Sequence, residues 1–175
     1  MRRLMLLRHA KSNWPAGMAD RERPLSERGR ETAPAMGAYL ADEDLLPDLV
    51  LVSPARRTVE TWELIAPMLP QRPPHRYEPR IYEAPVRRLL EVVQETEGDV
   101  ATLMLVGHNP GCEELAALLS AEGEGSALKR MAAKYPTAGL AVIDLAVSDW
   151  RDAAPRTGRL ARFVTPATLG EGPDT

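Results

Sequence analysis

Leu4-Met5-Leu6-Leu7-Arg8-His9-Ala10 is a short apolar run that ends directly on an arginine–histidine pair. Consecutive apolar residues without helical spacing read as a strand covered on both faces. The pattern returns at Leu103-Met104-Leu105-Val106, which runs into Gly107-His108-Asn109-Pro110-Gly111. It returns again at Leu49–Val52, which hands over to Ser53-Pro54-Ala55-Arg56-Arg57. Open α/β sheets bind ligands beyond the carboxyl ends of their strands. Strand ends that carry imidazole and guanidinium groups describe an anion pocket, and a phosphoryl group suits it.

Ala101–Val106 and Leu140–Leu145 read as further buried strands, and Arg162–Val164 is expected to add an edge strand. Helical segments lie between. Ser26–Leu40 starts at a serine N-cap, with Gly29 and Pro34 as its weak points. Pro54–Met68 places Ala55, Val59, Trp62 and Ala66 on one stripe, leaving Arg57, Glu60 and Thr61 nearer the rim. Val86–Glu97 does the same with Leu89, Leu90 and Val93 and ends at Gly98. Pro110–Leu119 starts with Asn109 as N-cap and Pro110 at its first position. This alternation predicts an α/β fold, a three-layer αβα sandwich with a mostly parallel central sheet. One domain is expected over residues 1–169, with 170–175 as a flexible C-terminal tail. Two arginine-rich loops, Trp14–Pro24 and Gln71–Arg80, border the predicted pocket. Ala121–Ser126 reads as a solvated turn with no nucleotide role, since its G-x-G follows no strand and lacks a third glycine.

The chain has 175 residues, 44 % of them hydrophobic and 27 % charged, the balance of an ordinary globular domain. A net charge of -3 gives no electrostatic case for nucleic acid or an anionic membrane as the main partner. The single cysteine excludes an intrachain disulfide and fits a reducing compartment. Met1-Arg2-Arg3 resembles the basic start of a signal peptide, but the apolar run stops too early, so a cytoplasmic location is expected. Lys11, Lys129 and Lys134 are the only lysines among 22 basic residues, so a lone arginine carries little information and its position must decide.

His9 is the candidate nucleophile: a neutral imidazole attacks phosphorus and holds the phosphoryl group covalently, and neighbouring arginines disfavour its protonation. The competing reading is a structural histidine at a strand end. Arg8 and Arg57 have the planar forks that match phosphate oxygens. Arg56 and Arg57 both fall in the first turn of a helix whose dipole disfavours cations, a misfit explained if an anion shares the site with them. Arg56 is read as a solvated surface residue and Arg57 as the clamp, although periodicity does not separate the two. His108, beside a helix start, adds an imidazole to free amides, although Asn109-Pro110 alone would serve as a cap. Glu83, in Ile81-Tyr82-Glu83-Ala84-Pro85, follows an expected short strand and precedes a helix; it is read equally as a general acid or as a solvated carboxylate. Cys112 is followed by Glu113 and Glu114 instead of the arginine that a cysteine phosphatase needs, and is read as a small core residue. No metal-ligand spacing occurs, and neither a metal nor another cofactor is expected.

Together Arg8-His9-Ala10, Pro24-Leu25-Ser26 with Gly29, Ser53–Thr58 with Thr61, and Gly107–Gly111 resemble the histidine phosphatase superfamily, the phosphoglycerate-mutase-like group. Arg8–Ser12, Tyr82-Glu83-Ala84, the G-H-N-P-G form and Tyr135-Pro136-Thr137 make the chain similar to the short SixA-type phosphohistidine phosphatases. The likeness runs from about Met1 to Leu169. It implies His9 as nucleophile, with Arg8, Arg57 and His108 as the remainder of the phosphate pocket and Glu83 as a provisional acid. Ser53 and Asn109 join Arg8, Arg57 and His108 as expected substrate-binding residues.

The expectation is a metal-independent phosphatase acting on phosphohistidine in proteins. The alternatives are a phosphatase of small phosphate esters and a phosphate-recognition module without turnover. The expected partner is therefore a phosphorylated protein or a small phosphorylated metabolite, without nucleic acid or membrane, and a monomer is compatible with the sequence.

Overall fold

The computed structural model describes residues 1–175. Seven strands form one mixed sheet: β1 (Arg2–Arg8), β2 (Leu49–Val52), β3 (His75–Tyr77), β4 (Thr102–Gly107), β5 (Ser120–Gly123), β6 (Leu140–Leu145) and β7 (Gly158–Val164). Their order is β3-β2-β4-β1-β6-β7-β5. The pairs β3–β2, β2–β4, β4–β1 and β7–β5 are parallel, and only β6 runs against its neighbours β1 and β7.

Alternate side chains along each central strand enter opposite faces, and the core divides accordingly. Met5, Leu7, Val50, Val52, Met104 and Val106 pack under α1 (Glu27–Asp42) and α2 (Arg56–Ile65). Leu4, Leu6, Leu49, Leu51, Leu103 and Leu105 pack under α3 (Val86–Gln94), α4 (Gly111–Leu119) and α5 (Ala127–Ala133). The result is the three-layer αβα sandwich with a mostly parallel sheet. No helix is long and apolar enough to cross a membrane.

Register then builds the site. Arg8 pairs with Gly107, and Val52 pairs with Val106, so β1, β4 and β2 finish level. The next residue of each chain is His9, His108 or Ser53, and all three emerge along one edge of the sheet.

Ser26 caps α1, its hydroxyl accepting from the Gly29 amide at 3.1 Å. Gly29 itself answers to a close approach: a Cβ there would lie 2.1 Å from the Lys11 carbonyl oxygen. The same carbonyl accepts from the Ser26 amide at 2.8 Å, which fastens the segment after His9 to the start of α1.

Three elements differ from the sequence reading. The segment Arg162–Val164 belongs to the longer β7, which lies inside the sheet, because β5 pairs with its outer side. Ala121–Gly123, read as part of a turn, is in that outer strand β5. Within Gln71–Arg80, β3 forms the opposite edge. In addition, α4 begins at Gly111, one residue after the proline, although the Asn109 side chain still accepts from the Glu113 amide at 3.2 Å. Residues 171–175 run back over the molecule: Arg28 donates to the carbonyls of Glu171 and Pro173, Lys134 to that of Asp174, and the Thr137 and Thr175 hydroxyls are 3.0 Å apart.

Candidate active site

A cavity of about 450 Å³ opens at the level edge of β1, β4 and β2, with Arg8, His9, Arg57 and His108 in its wall. Glu83 and Asn109 also line it, while Ser53 lies fully buried behind His108. The seven candidate site residues are therefore at or against one cavity, whereas no residue of the loop Gln71–Arg80, expected to border it, is in its wall.

The orientation of His9 follows from one contact. Its Nδ1 lies 2.7 Å from the carbonyl oxygen of Ala10. A carbonyl only accepts, so Nδ1 carries the proton and Nε2 of the neutral ring keeps its lone pair. The residue is 7 % exposed. Burial, joined by the charges of His108, Arg8 and Arg57, holds its pKa well below the usual 6.5, against the opposing pull of the Ala10 bond. His9 is uncharged at neutral pH.

His108 stands 5.4 Å from His9 between ring centroids. Its Nε2 meets the Ser53 hydroxyl at 2.7 Å. With that hydroxyl as donor, Nδ1 is the protonated nitrogen, and it is buried without a protein partner. Burial and then Arg57 lower the His108 pKa to about 4. The Nε atoms of Arg8 and Arg57 are likewise buried and unpaired, so three of the five such atoms in the protein belong to this site. Unmet buried donors are costly unless something accepts from them.

Each guanidinium is held from its far end. Arg8 donates through Nη1 to the Tyr135 carbonyl at 2.8 Å, and Asn109 donates to the same oxygen at 3.2 Å. Arg57 donates to the main chain and carboxylate of Asp20. In α2 the buried face differs from the predicted stripe: Arg57, Thr58 and Thr61 are enclosed together with Trp62 and Ile65. The two threonine hydroxyls are matched there. Thr58 donates to the Ser53 carbonyl, and Thr61 donates to Arg57 while accepting from the Ala10 amide at 3.0 Å. Thr61 thus ties the helix bearing Arg57 to the backbone behind His9.

Asp20 and Tyr82 escaped the sequence reading. The Tyr82 hydroxyl donates to Asp20 Oδ2 at 2.6 Å, and Arg23 donates to Oδ1 at 3.0 Å. These donors, Tyr82 foremost, keep the carboxylate far below its usual 3.8, while Tyr82 rises to about 12. The sequence signals were the placing of Asp20 in a loop already marked as bordering the pocket and of Tyr82 in the Tyr82-Glu83-Ala84 likeness, neither of which gave the residue a role. Glu83 is exposed and adopts a positive φ of 52°. Cys112, 4 % exposed and pushed up to about 12 by burial, is a thiol in the core. No three His, Cys, Asp or Glu side chains cluster as metal ligands.

The sequence model of the histidine phosphatase superfamily (branch 1) matches residues 4–96. An uncharacterized protein of Mycobacterium tuberculosis (strain H37Rv) is 36 % identical over 162 residues, covering 91 % of this chain and 99 % of the relative. Among solved structures, a candidate phosphohistidine phosphatase SixA from Agrobacterium tumefaciens superposes with a TM-score of 0.77 at 31 % identity, covering 94 % of this chain and 98 % of its own. The protein histidine phosphatase SixA complexed with tungstate gives 0.78 at 23 % identity, covering 95 % and 99 %, a likeness of fold. The family model takes in more than half of the sequence, including His9 and Arg57, and on that ground the chain belongs to the histidine phosphatase superfamily and is a phosphatase.

Proposed function

We propose that this phosphatase works without a metal, through a covalent phosphohistidine on His9, and that it removes phosphate from phosphohistidine in proteins. The observation that supports the reading is the bond from His9 Nδ1 to the Ala10 carbonyl, which leaves Nε2 with a free lone pair in a cavity wall shared with Arg8, Arg57 and His108. The phosphoryl group sits against Arg8, Arg57 and His108 in the cavity wall. Asn109 and Ser53 keep Arg8's acceptor and His108 in place.

Two displacements follow. The lone pair of Nε2 attacks phosphorus; the His9–phosphorus bond forms as the phosphorus–nitrogen bond of the substrate breaks, and the departing imidazole takes a proton from water. Water then attacks phosphorus and gives a proton to the hydroxide left by the first step; the His9–phosphorus bond breaks, and phosphate leaves with the neutral imidazole, still protonated at Nδ1, restored. One P–N bond is exchanged for another in the first step, so the leaving group needs less acid help than an alkoxide. The 31 % identity to a candidate phosphohistidine phosphatase supports this choice of substrate. Brief reaction with a labelled phosphohistidine protein, followed by denaturing quench, should leave acid-labile label on His9 and none on His9→Ala. Label on Cys112 would refute the assignment.

A second reading, hydrolysis of small phosphate esters, is favoured by the exposed Glu83 in the cavity wall. It requires Glu83→Gln to reduce ester turnover far more than phosphohistidine turnover.

A further inference from the structure

Trp14 is 71 % exposed, and it lines the same cavity as His9. The other two tryptophans, Trp62 and Trp150, are completely buried. An indole left in water at the mouth of a charged cavity runs against its transfer free energy. It is also held there firmly. The Arg23 guanidinium lies over its ring at 3.7 Å from the centroid. The same guanidinium donates to Ser12, to the Asn13 carbonyl and to Asp20. One side chain therefore braces one face of the indole and pins the loop on both sides of it.

The cavity's other aromatic side chain, outside the two histidines, has no free surface of this kind. Tyr82 spends its hydroxyl on Asp20, sets its edge against His108 at 5.6 Å, and lies under Arg21 at 5.8 Å. Trp14 alone combines a braced face with an open one. A volume of about 450 Å³ is in the range that holds a whole small ligand, so the cavity takes more than the phosphoryl group.

We infer that Trp14 is a specificity-determining residue whose open face stacks on a flat ring attached directly to the phosphorus of the substrate, the imidazole of phosphohistidine being such a ring. This deepens the function proposed above and rests on it for the identity of the reacting phosphoryl group. Flat rings gain from offset stacking on an indole, whereas an amine or alkyl leaving group offers no face to it. The guanidinium behind Trp14 keeps the platform from turning away when the cavity is empty.

The test compares two small P–N substrates, phosphoimidazole with a ring and phosphoramidate without one, in wild type, Trp14→Ala and Trp14→Phe. The ratio of their kcat/KM values should fall about tenfold in Trp14→Ala, mostly through KM for phosphoimidazole, and recover in Trp14→Phe. An unchanged ratio overturns the inference, whether both rates drop because the loop has loosened or neither does. A loss seen only with a phosphohistidine protein, and not with phosphoimidazole, also overturns it, since Trp14 would then read the protein surface. Binding supplies an independent readout. In His9→Ala, phosphoimidazole should quench the solvent-exposed tryptophan emission, which Trp14→Ala removes; phosphoramidate should not. If wild type turns over neither compound, the function proposed above fails, and the quenching alone decides the role of Trp14.

Discussion

Arg57 gives both terminal nitrogens to Asp20: Nη1 donates to the main-chain oxygen at 2.8 Å and Nη2 to Oδ2 at 3.1 Å. The guanidinium is 7 % exposed and the carboxylate 34 %, so the pair joins a buried cation to a partly solvated anion. An anion already rests on the arginine that the function proposed above assigns to the substrate phosphate.

Replacing Asp20 with asparagine removes that competing charge while keeping the shape. Inorganic phosphate should then inhibit about three- to tenfold more tightly, measured as Ki. The thermal midpoint should fall at the same time, because a buried cation loses its counter-charge. Asp20 also sets an acid dependence. Its folded pKa lies below its unfolded value of about 3.8, so its contribution is complete above that value and drains away as pH falls toward the folded pKa. Asp20→Asn should flatten the stability curve below pH 3.8 and leave its slope near neutrality alone.

His108 acts in a higher window. The unfolded ring takes a proton at about 6.5 and the folded one only at about 4, so stability declines as pH drops between those values. At the acid end the loss amounts to about 3 kcal/mol on the usual conversion of pKa to free energy. Urea melts of wild type and His108→Gln at pH 7 and pH 4 test it; the variant should lose less on acidification. His9 is lowered as well, so the acid limb of kcat/KM should lie below 6.5. A limb at or above that value contradicts the neutral, buried nucleophile.

Gly29→Ala introduces a methyl group into the Lys11 carbonyl, a backbone atom that cannot step aside cheaply. A cost of about 2–4 kcal/mol is expected, seen as a drop of roughly 5–15 °C in thermal midpoint. Activity below the transition should fall too, since Lys11 follows His9 by two residues.

Thr61→Val keeps volume but leaves the Ala10 amide without its 3.0 Å acceptor. An unmet buried amide costs about 1–3 kcal/mol. The substitution should lower kcat more than it raises KM, because it loosens the backbone behind His9 without touching the phosphate donors. Parallel kinetic and melting measurements separate the two effects.

The sequence disclosed the centre of this fold better than its margins. β1, β2, β4 and β6 are sheathed on both faces and announce themselves as unbroken apolar runs. β3 and β5 have one neighbour each and carry His75, Arg76, Glu122 and glycine, so nothing in their composition separates them from turns. β7 was half legible: Arg159 and Arg162 interrupt it, and its register slips where Val142 and Ile143 pair. The same distinction holds at the site. His9, His108 and Ser53 follow strand ends directly and could be placed from the chain alone. Asp20 and Tyr82 come from separate loops and meet only through side-chain bonds, which no spacing foretells. Arg57 was told from Arg56 by the family likeness, four positions after Ser53, and its burial against Asp20 was not foreseen.

The lone sulfhydryl of the protein, Cys112, is sealed in the core behind His108 and stays protonated up to about pH 12. Peroxide attacks thiolates and has little purchase on neutral imidazoles. If dephosphorylation runs through His9 as proposed above, it should therefore continue under oxidative stress that silences phosphatases built on a reactive sulfur.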